Sequence, residues 1–334
     1  MNKPSILVTI PRGPVFDTFF DETHIRELER IAHVEWNETG RQFTSTELRD
    51  SLRGKKICVT GWGTPNLDET VLEGADTLEL MAHTGGSVRP YMTDAAYEKG
   101  IRACSGNKVF ARSVAEGVVA YALAELRQIP RYSQDLKKGI WPSSFYNRGL
   151  LDRTVGIVGY GMIAGYVVDM LKVFHTPIKV FSNHIQEDEL RRKGMEKASL
   201  AEIFSSCDIV SIHTGMTAAN HHLITEELLH SMKDGAVLIN TARGAIIDEP
   251  ALCRVLRKGR ISAVLDVYEQ EPLPGDSPLL QCENALLMPH MGGPTIDRRK
   301  AVTLSLLEDI RRYLKGDAMD CEIAYEYAKK MSTI

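Results

Sequence analysis

The stretch V-G-I-V-G-Y-G-M-I-A-G at 155–165 decides the fold of this chain. It carries G-x-G-x-x-A in Gly159, Gly161 and Ala164. The apolar run from Thr154 to Val158 before it reads as a strand. After it, Ile163, Val167, Met170, Leu171 and Phe174 recur at helical spacing. The first glycine permits a tight turn. The second lets the backbone approach a pyrophosphate, and the third position needs a small residue where helix meets strand, which alanine satisfies. The helix N-terminus, with its unpaired N–H groups, then faces the phosphates. Alone, such a motif is weak evidence, and its ordinary alternative is a turn that serves packing. Between a strand and a helix it predicts a dinucleotide-binding turn.

Outward from this turn the pattern repeats as strand and helix. Strands are expected near 154–158, 178–182, 208–213, 235–240, 261–267 and 284–288. Short crossovers between them predict an α/β fold with a doubly wound, Rossmann-type parallel sheet. Upstream, strands at Ile6–Ile10, Ile57–Thr60 and Leu78–Ala82 and helices at Asp21–Ala32 and Asp94–Lys99 suggest a smaller, flavodoxin-like α/β unit. A helix from about Ala111 to Arg127 is the expected hinge, with Ser113 and Glu116 at its start as capping and dipole residues. Trp141 is expected to pack at the domain junction. The run Thr295–Lys315 reads as one helix with Val302, Leu306, Ile310 and Leu314 on one face, returning to the first unit. The expected domains are therefore 1–108 with 301–334 for substrate, and 109–300 for the dinucleotide.

Composition excludes several classes. A chain of 334 residues suggests about two domains. Its net charge of −4 and lack of a basic block give no support to nucleic-acid or anionic-membrane binding. No apolar run reaches the ~18 residues of a membrane span. The first ten residues read as a strand and not as a signal peptide. Six scattered cysteines without a C-x-x-C pair suggest reduced thiols in a cytoplasmic protein. His221 and His222 have no partner at ligand spacing, so no metal is expected.

Three polar groups in the last third carry the chemistry. Arg243 lies in N-T-A-R-G (240–244), Glu271 in D-V-Y-E-Q-E-P (266–272) and His290 in P-H-M-G-G (289–293). Each follows a strand-like run, and polar groups just past the ends of parallel strands meet in one crevice. A cation, a carboxylate and an imidazole together suit reduction of a carbonyl beside a carboxylate. Arginine grips the acid in a fork, histidine moves the proton, and glutamate favours the protonated imidazole. At the end of the second strand of the sheet, an acid would bind the ribose of NAD and repel the phosphate of NADP. Ser182, Asn183 and His184 stand there instead, with no acid before Glu187. NADPH is therefore expected to be accepted, as well as NADH.

The chain resembles the D-isomer-specific 2-hydroxyacid dehydrogenases, a family that includes phosphoglycerate, glyoxylate/hydroxypyruvate and D-lactate dehydrogenases. The resemblance covers about positions 55 to 320 and rests on V-G-I-V-G-Y-G, C-D-I-V-S-I-H, N-T-A-R-G, L-D-V-Y-E-Q-E-P-L and P-H-M-G-G, in family order. It implies that Arg243 binds the substrate acid, that His290 is the acid/base and that Glu271, placed before the proline, is its partner rather than Glu269. It implies cofactor contacts from Met162, Ile163, Thr241, Asp266 and the His290–Gly293 segment, Gly292 and Gly293 included. Ala164 at the start of the helix, and His213, Thr214 and Ala242 just past their strands, are expected cofactor contacts as well. It further implies a homodimer built through the dinucleotide domain.

Departures accompany these matches. The family's substrate loop commonly reads G-V-G-V-D-N; here Gly85, Gly86 and Ser87 are followed by Val88, Arg89 and Pro90. Glycine-rich N–H groups can still cradle a carboxylate. Arg89 reads by default as a solvated charge. The usual H-x-P is His213-Thr214-Gly215. The expected activity is hydride transfer between NAD(P)H and a small 2-keto acid such as glyoxylate or hydroxypyruvate. The competing reading is a dinucleotide-sensing corepressor of the same fold. It would want long disordered tails, and the chain ends shortly after Gly316. A phosphite-oxidising relative would carry a lysine where Gly86 stands, and a phosphoglycerate enzyme often has an arginine where His83 stands.

Overall fold

The computed structural model describes residues 3–331. The first two and last three residues, which the expected domain limits include, lie outside the described residues. The chain divides into two compact units, Met1–Phe110 with Pro294–Ile334, and Ala111–Gly293.

The first unit is a five-stranded parallel sheet of β1 (Ser5–Val8), β2 (His33–Trp36), β3 (Ile57–Thr60), β4 (Leu80–His83) and β5 (Arg102–Ser105). Their order is β2-β1-β3-β4-β5, which is the flavodoxin-like order. Side chains alternate between the two faces, as strand geometry requires. Ile6, Val8, Ile57 and Leu80 pack on one side with Phe16, Leu28, Val302 and Leu306. Leu7, Cys58 and Met81 pack on the other with Leu48, Leu52 and Val71. Both faces are covered, so the inner strands β3 and β4 are buried along their whole length, whereas the edge strand β2 alternates between exposed and half-buried residues. The helix Ile296–Lys315 supplies Val302, Leu306 and Ile310 to this core, as its apolar stripe predicts.

The second unit holds β6 (Val155–Val158), β7 (Ile178–Phe181), β8 (Glu196–Lys197), β9 (Ile209–Ile212), β10 (Val237–Asn240), β11 (Ser262–Leu265) and β12 (Ala285–Leu287). All pair in parallel, in the order β12-β11-β10-β9-β6-β7-β8. The order reverses direction between β6 and β9, and a doubly wound sheet binds its ligand at such a switch. The six expected strands are present, each slightly shorter. The extra edge strand β8 is two exposed charged residues with no apolar signal. Asp248 caps the helix Glu249–Leu256, accepting the Ala251 N–H at 2.9 Å, as expected from its place before Pro250.

Two expectations fail. The helix expected from Ala111 spans Asn107–Leu126, so Ser113 and Glu116 lie beyond its first turn and cap nothing. It starts earlier because Ser105 Oγ accepts the Asn107 N–H and turns the chain directly out of β5. Trp141 is 80% exposed and does not pack within its own chain, because the segment that carries it forms no helix or strand. All six cysteines are free and buried. Among the described residues no helix is long and apolar enough to cross a membrane.

Candidate active site

The glycine turn lies at the switch point. Gly159 has φ +89°, a left-handed conformation that favours glycine. A Cβ there would lie 2.6 Å from the Thr214 nitrogen and 2.9 Å from the His213 carbonyl carbon. The turn after β6 thus rests on the backbone after β9, which brings Gly159, His213 and Thr214 together. Gly161 heads the helix Met162–Leu171, which has no side-chain cap. A Cβ on Gly161 would meet open space. The N–H groups of Met162, Ile163 and Ala164 open this uncapped end. Thr241, just past β10, keeps a buried Oγ1 with no hydrogen-bond partner. A glycine cradle, an uncapped helix N-terminus and an orphaned hydroxyl at the sheet's carboxyl edge fit a dinucleotide.

Ser182 directly follows β7, is buried, and its Oγ accepts the His184 N–H at 3.2 Å. No acid occupies Ser182 to His184, and Glu187 further on is paired with Arg191 at 2.8 Å. The His213 ring bonds Ser211 Oγ through Nε2 at 2.8 Å. Burial pulls its pKa down to about 4, so the ring is neutral near pH 7.

The N-T-A-R-G loop is folded by its first residue. Asn240 donates to the Arg243 carbonyl at 2.9 Å and accepts the Ala242 N–H at 3.0 Å. This Asx turn swings Arg243 off the end of β10. A Cβ on Gly244 would lie 1.9 Å from the Tyr268 carbonyl carbon, so only glycine lets this loop press on the loop after β11. Burial pulls the Arg243 guanidinium down, and the nearby Glu271 charge holds it up. Arg243 also donates to the Ala242 carbonyl at 2.6 Å.

Glu271 Oε2 lies 2.5 Å from His290 Nδ1, and its Oε1 accepts the Tyr268 N–H at 3.0 Å. His290 has φ +50°, uncommon for a residue with a Cβ. The segment is pinned on both sides. Tyr268 Oη donates to the Met288 carbonyl at 2.8 Å. Buried Asp266 accepts the N–H groups of Met291 and Gly292 at 2.8 and 2.7 Å. Burial raises the Asp266 pKa while these two bonds lower it. A Cβ on Gly292 would lie 2.6 Å from Asp266 Oδ2, which accounts for that glycine, and Gly293 follows it. Tyr121, not anticipated from the sequence, has its pKa raised to about 12 by burial first and then by Asp266. The D-V-Y-E motif held a signal for Tyr268; Tyr121 had none, since its partner is distant in the chain.

Glu269 turns elsewhere. Its carboxylate bonds His222 Nε2 at 2.7 Å and accepts the Glu249 N–H at 3.2 Å, and its own N–H bonds Glu249 Oε2 at 3.1 Å. In the first unit, Gly85 is explained by His83: a Cβ would lie 2.2 Å from His83 Nε2. The Gly86 carbonyl accepts from Ser105 Oγ at 3.0 Å, and Ser87 Oγ accepts the Arg89 N–H at 3.3 Å. Arg89 is paired with Asp94 at 2.6 Å. Among the described residues no group of three metal-ligating side chains forms.

Residues 119–292 match the model of the D-isomer specific 2-hydroxyacid dehydrogenase NAD binding domain. The chain belongs to this dehydrogenase family. It is 33% identical over 280 residues to a glyoxylate reductase of Thermofilum pendens, covering 81% of this chain and 82% of that one. It is 32% identical over 315 residues to D-3-phosphoglycerate dehydrogenase of Methanocaldococcus jannaschii, covering 93% of this chain but 58% of that longer relative. The crystal structure of a glyoxylate reductase from Paecilomyes thermophila superposes with a TM-score of 0.82 at 25% identity, over 98% of this chain and all of that one. The family consists of oxidoreductases of 2-hydroxy acids with an NAD binding domain, and relatives named dehydrogenases and reductases favour the enzymatic reading over the corepressor one.

Proposed function

We propose that this chain reduces a small 2-keto acid, glyoxylate, hydroxypyruvate or similar, to the D-2-hydroxy acid, and catalyses the reverse. The observation that carries this reading is the 2.5 Å His290–Glu271 pair beside Arg243, in a unit of the NAD binding family. Arg243 binds the substrate carboxylate and polarises the keto oxygen. Taken by itself, the first unit carries in Gly85, Gly86 and Ser87 a loop whose backbone N–H groups suit an anion. A reduced nicotinamide, when bound, would supply the hydride. His290 Nε2, the ring nitrogen turned away from Glu271, gives its proton to the oxygen as it becomes an alkoxide. The neutral ring keeps Nδ1–H on Glu271, and solvent restores the proton. In the reverse direction Nε2 takes the hydroxyl proton.

Gly159, Gly161 and the N–H groups of Met162 to Ala164 would hold the pyrophosphate. Thr241 Oγ1 would find its missing partner in the dinucleotide, with Ala242, His213 and Thr214 beside it. Ser182, Asn183 and His184 would meet the ribose without repelling a 2′-phosphate, so NADPH is accepted with at most modest discrimination against it. Asp266 acts by holding His290 to Gly293 in place. Loss of nicotinamide absorbance with glyoxylate, hydroxypyruvate, pyruvate and longer 2-keto acids, screened with both cofactors, tests the function; no turnover with any pair would refute it.

The enzyme works as a homodimer in this reading. The arm that follows the helix Asn107–Leu126 exposes Leu136, Trp141, Phe145, Tyr146 and Leu151, a set that a second copy would cover. Sedimentation showing only monomer at micromolar concentration would reject this.

A further inference from the structure

The helix Asn107–Leu126 lays one stripe of residues along the second unit. Gly117, Tyr121 and Glu125 recur at every fourth position and so share a face, and all three belong to that unit. A Cβ on Gly117 would lie 3.9 Å from the Gly292 carbonyl oxygen and 3.9 Å from Tyr121 Cε2. The bare Gly117 and the Tyr121 ring therefore border the segment that carries His290. Glu125, one turn further on and buried, faces Ser262, the first residue of β11. Ala115, Val118, Ala122 and Leu126 pack the flank of the same helix into one core with Val155, Ile239 and Val264, which fixes the stripe on the sheet.

Directly past the other end of β11 stands Asp266, 1% exposed. Its Oδ1 accepts the Met291 N–H at 2.8 Å and its Oδ2 the Gly292 N–H at 2.7 Å. These bonds hold the backbone just after His290, whose φ of +50° persists only while its surroundings fix it. The Tyr121 hydroxyl is a third donor to that carboxylate, and it comes from outside the loop. Burial first, then the charge and hydrogen bond of Asp266, keep the phenol protonated, so it remains a donor. A buried carboxylate is oriented by the donors it accepts, and bonds in such a chain strengthen one another.

We propose that Tyr121 is a positioning residue of the reaction: its hydroxyl orients the Asp266 carboxylate, which fixes Met291 and Gly292 and through them sets the His290 ring for proton transfer. This rests on the reading that the chain reduces 2-keto acids with His290 as the acid. Tyr121 governs turnover and leaves affinity alone, because Arg243 and the glycine turn are held by other contacts.

The test combines kinetics with hydrogen exchange of the segment carrying Met291 and Gly292, read by mass spectrometry, in wild type, Y121F, Y121L, D266N and Y121F/D266N. Y121F keeps the ring and loses only the donor. Its kcat for reduction should fall about tenfold, while KM for the keto acid and affinity for reduced nicotinamide stay within about threefold. The segment should exchange about tenfold faster in Y121F and at least as fast in D266N. The double variant should exchange no faster than D266N, since the two residues act in one chain of bonds. Wild-type kcat in Y121F beside a damaged Y121L would assign the residue to packing and overturn the proposal. Wild-type exchange in Y121F, or effects that multiply in the double variant, would overturn it too. Faster exchange in Y121F, in a protein whose wild type reduces no 2-keto acid, would refute the proposed function and sustain the hold of Tyr121 on the loop. Turnover of a 2-keto acid with unchanged exchange in Y121F would do the reverse.

Discussion

Glu271 and His290 are joined at 2.5 Å, whereas Glu269, two residues earlier, is joined to His222 at 2.7 Å. The two carboxylates of one loop therefore serve different histidines. Glu271→Gln removes the carboxylate that holds the His290 ring, so kcat/KM for reduction should fall by about tenfold or more. Glu269→Gln should leave kcat/KM within a fewfold of wild type, since its partner lies elsewhere. Kinetics of both variants decide the pairing; a loss in Glu269→Gln alone would reverse it.

Arg243→Lys should lower kcat/KM by about a hundredfold, roughly 2.7 kcal/mol, because a point charge does not reproduce the fork. The dinucleotide should still bind, since Gly159, Gly161 and Thr241 are untouched. Steady-state kinetics and nicotinamide fluorescence titration check the two halves. Activity within a fewfold of wild type would remove Arg243 from the carboxylate site.

Wild-type enzyme should prefer NADH over NADPH by less than about a hundredfold in kcat/KM with one common substrate. Ser182 is buried at the end of β7, and no acid stands there to repel a 2′-phosphate. Ser182→Asp should cut NADPH use specifically. Undiminished turnover of NADPH by that variant would show that the loop does not face the ribose.

His83 is buried, bonds Thr60 Oγ1 at 3.0 Å, and has its pKa depressed to about 3 by burial. Above pH ~6.5 the ring is neutral whether the chain is folded or not, and it costs nothing. As pH falls below that value, the unfolded chain takes up a proton that the folded one refuses. Stability should then drop by about 1.4 kcal/mol per pH unit from this residue, down to the folded value. Between pH 6.5 and 5, denaturant unfolding should weaken by roughly 2 kcal/mol more in wild type than in His83→Asn. Parallel curves would place the histidine in a wetter setting.

The parts of this molecule that were legible are those written in short stretches. The turn at Gly159 follows from glycine spacing between an apolar strand and an apolar-striped helix. Arg243, Glu271 and His290 stand at strand ends, where a parallel sheet gathers them on one edge. Harder to see were the residues whose role depends on a distant neighbour. Gly244 is required by the Tyr268 backbone, Gly85 by the His83 ring and Gly292 by Asp266. Tyr121 meets Asp266 across the sheet edge, and no local pattern links them. Trp141 misled because an exposed tryptophan looks, in sequence, like a buried one. The start of the helix at Asn107 was missed because Ser105, the last residue of β5, makes the bond that turns the chain.

The central claim is that His290 delivers the proton in reduction of a 2-keto acid. It is tested most directly by comparing kcat/KM for reduction in wild type and His290→Gln, with the affinity for reduced nicotinamide measured on the same preparations. Positioned acid catalysis contributes typically ~10²–10⁴-fold, so the variant should lose about that much in kcat/KM while its dinucleotide affinity stays within a fewfold of wild type. A variant that reduces the acid at close to the wild-type rate would contradict the account.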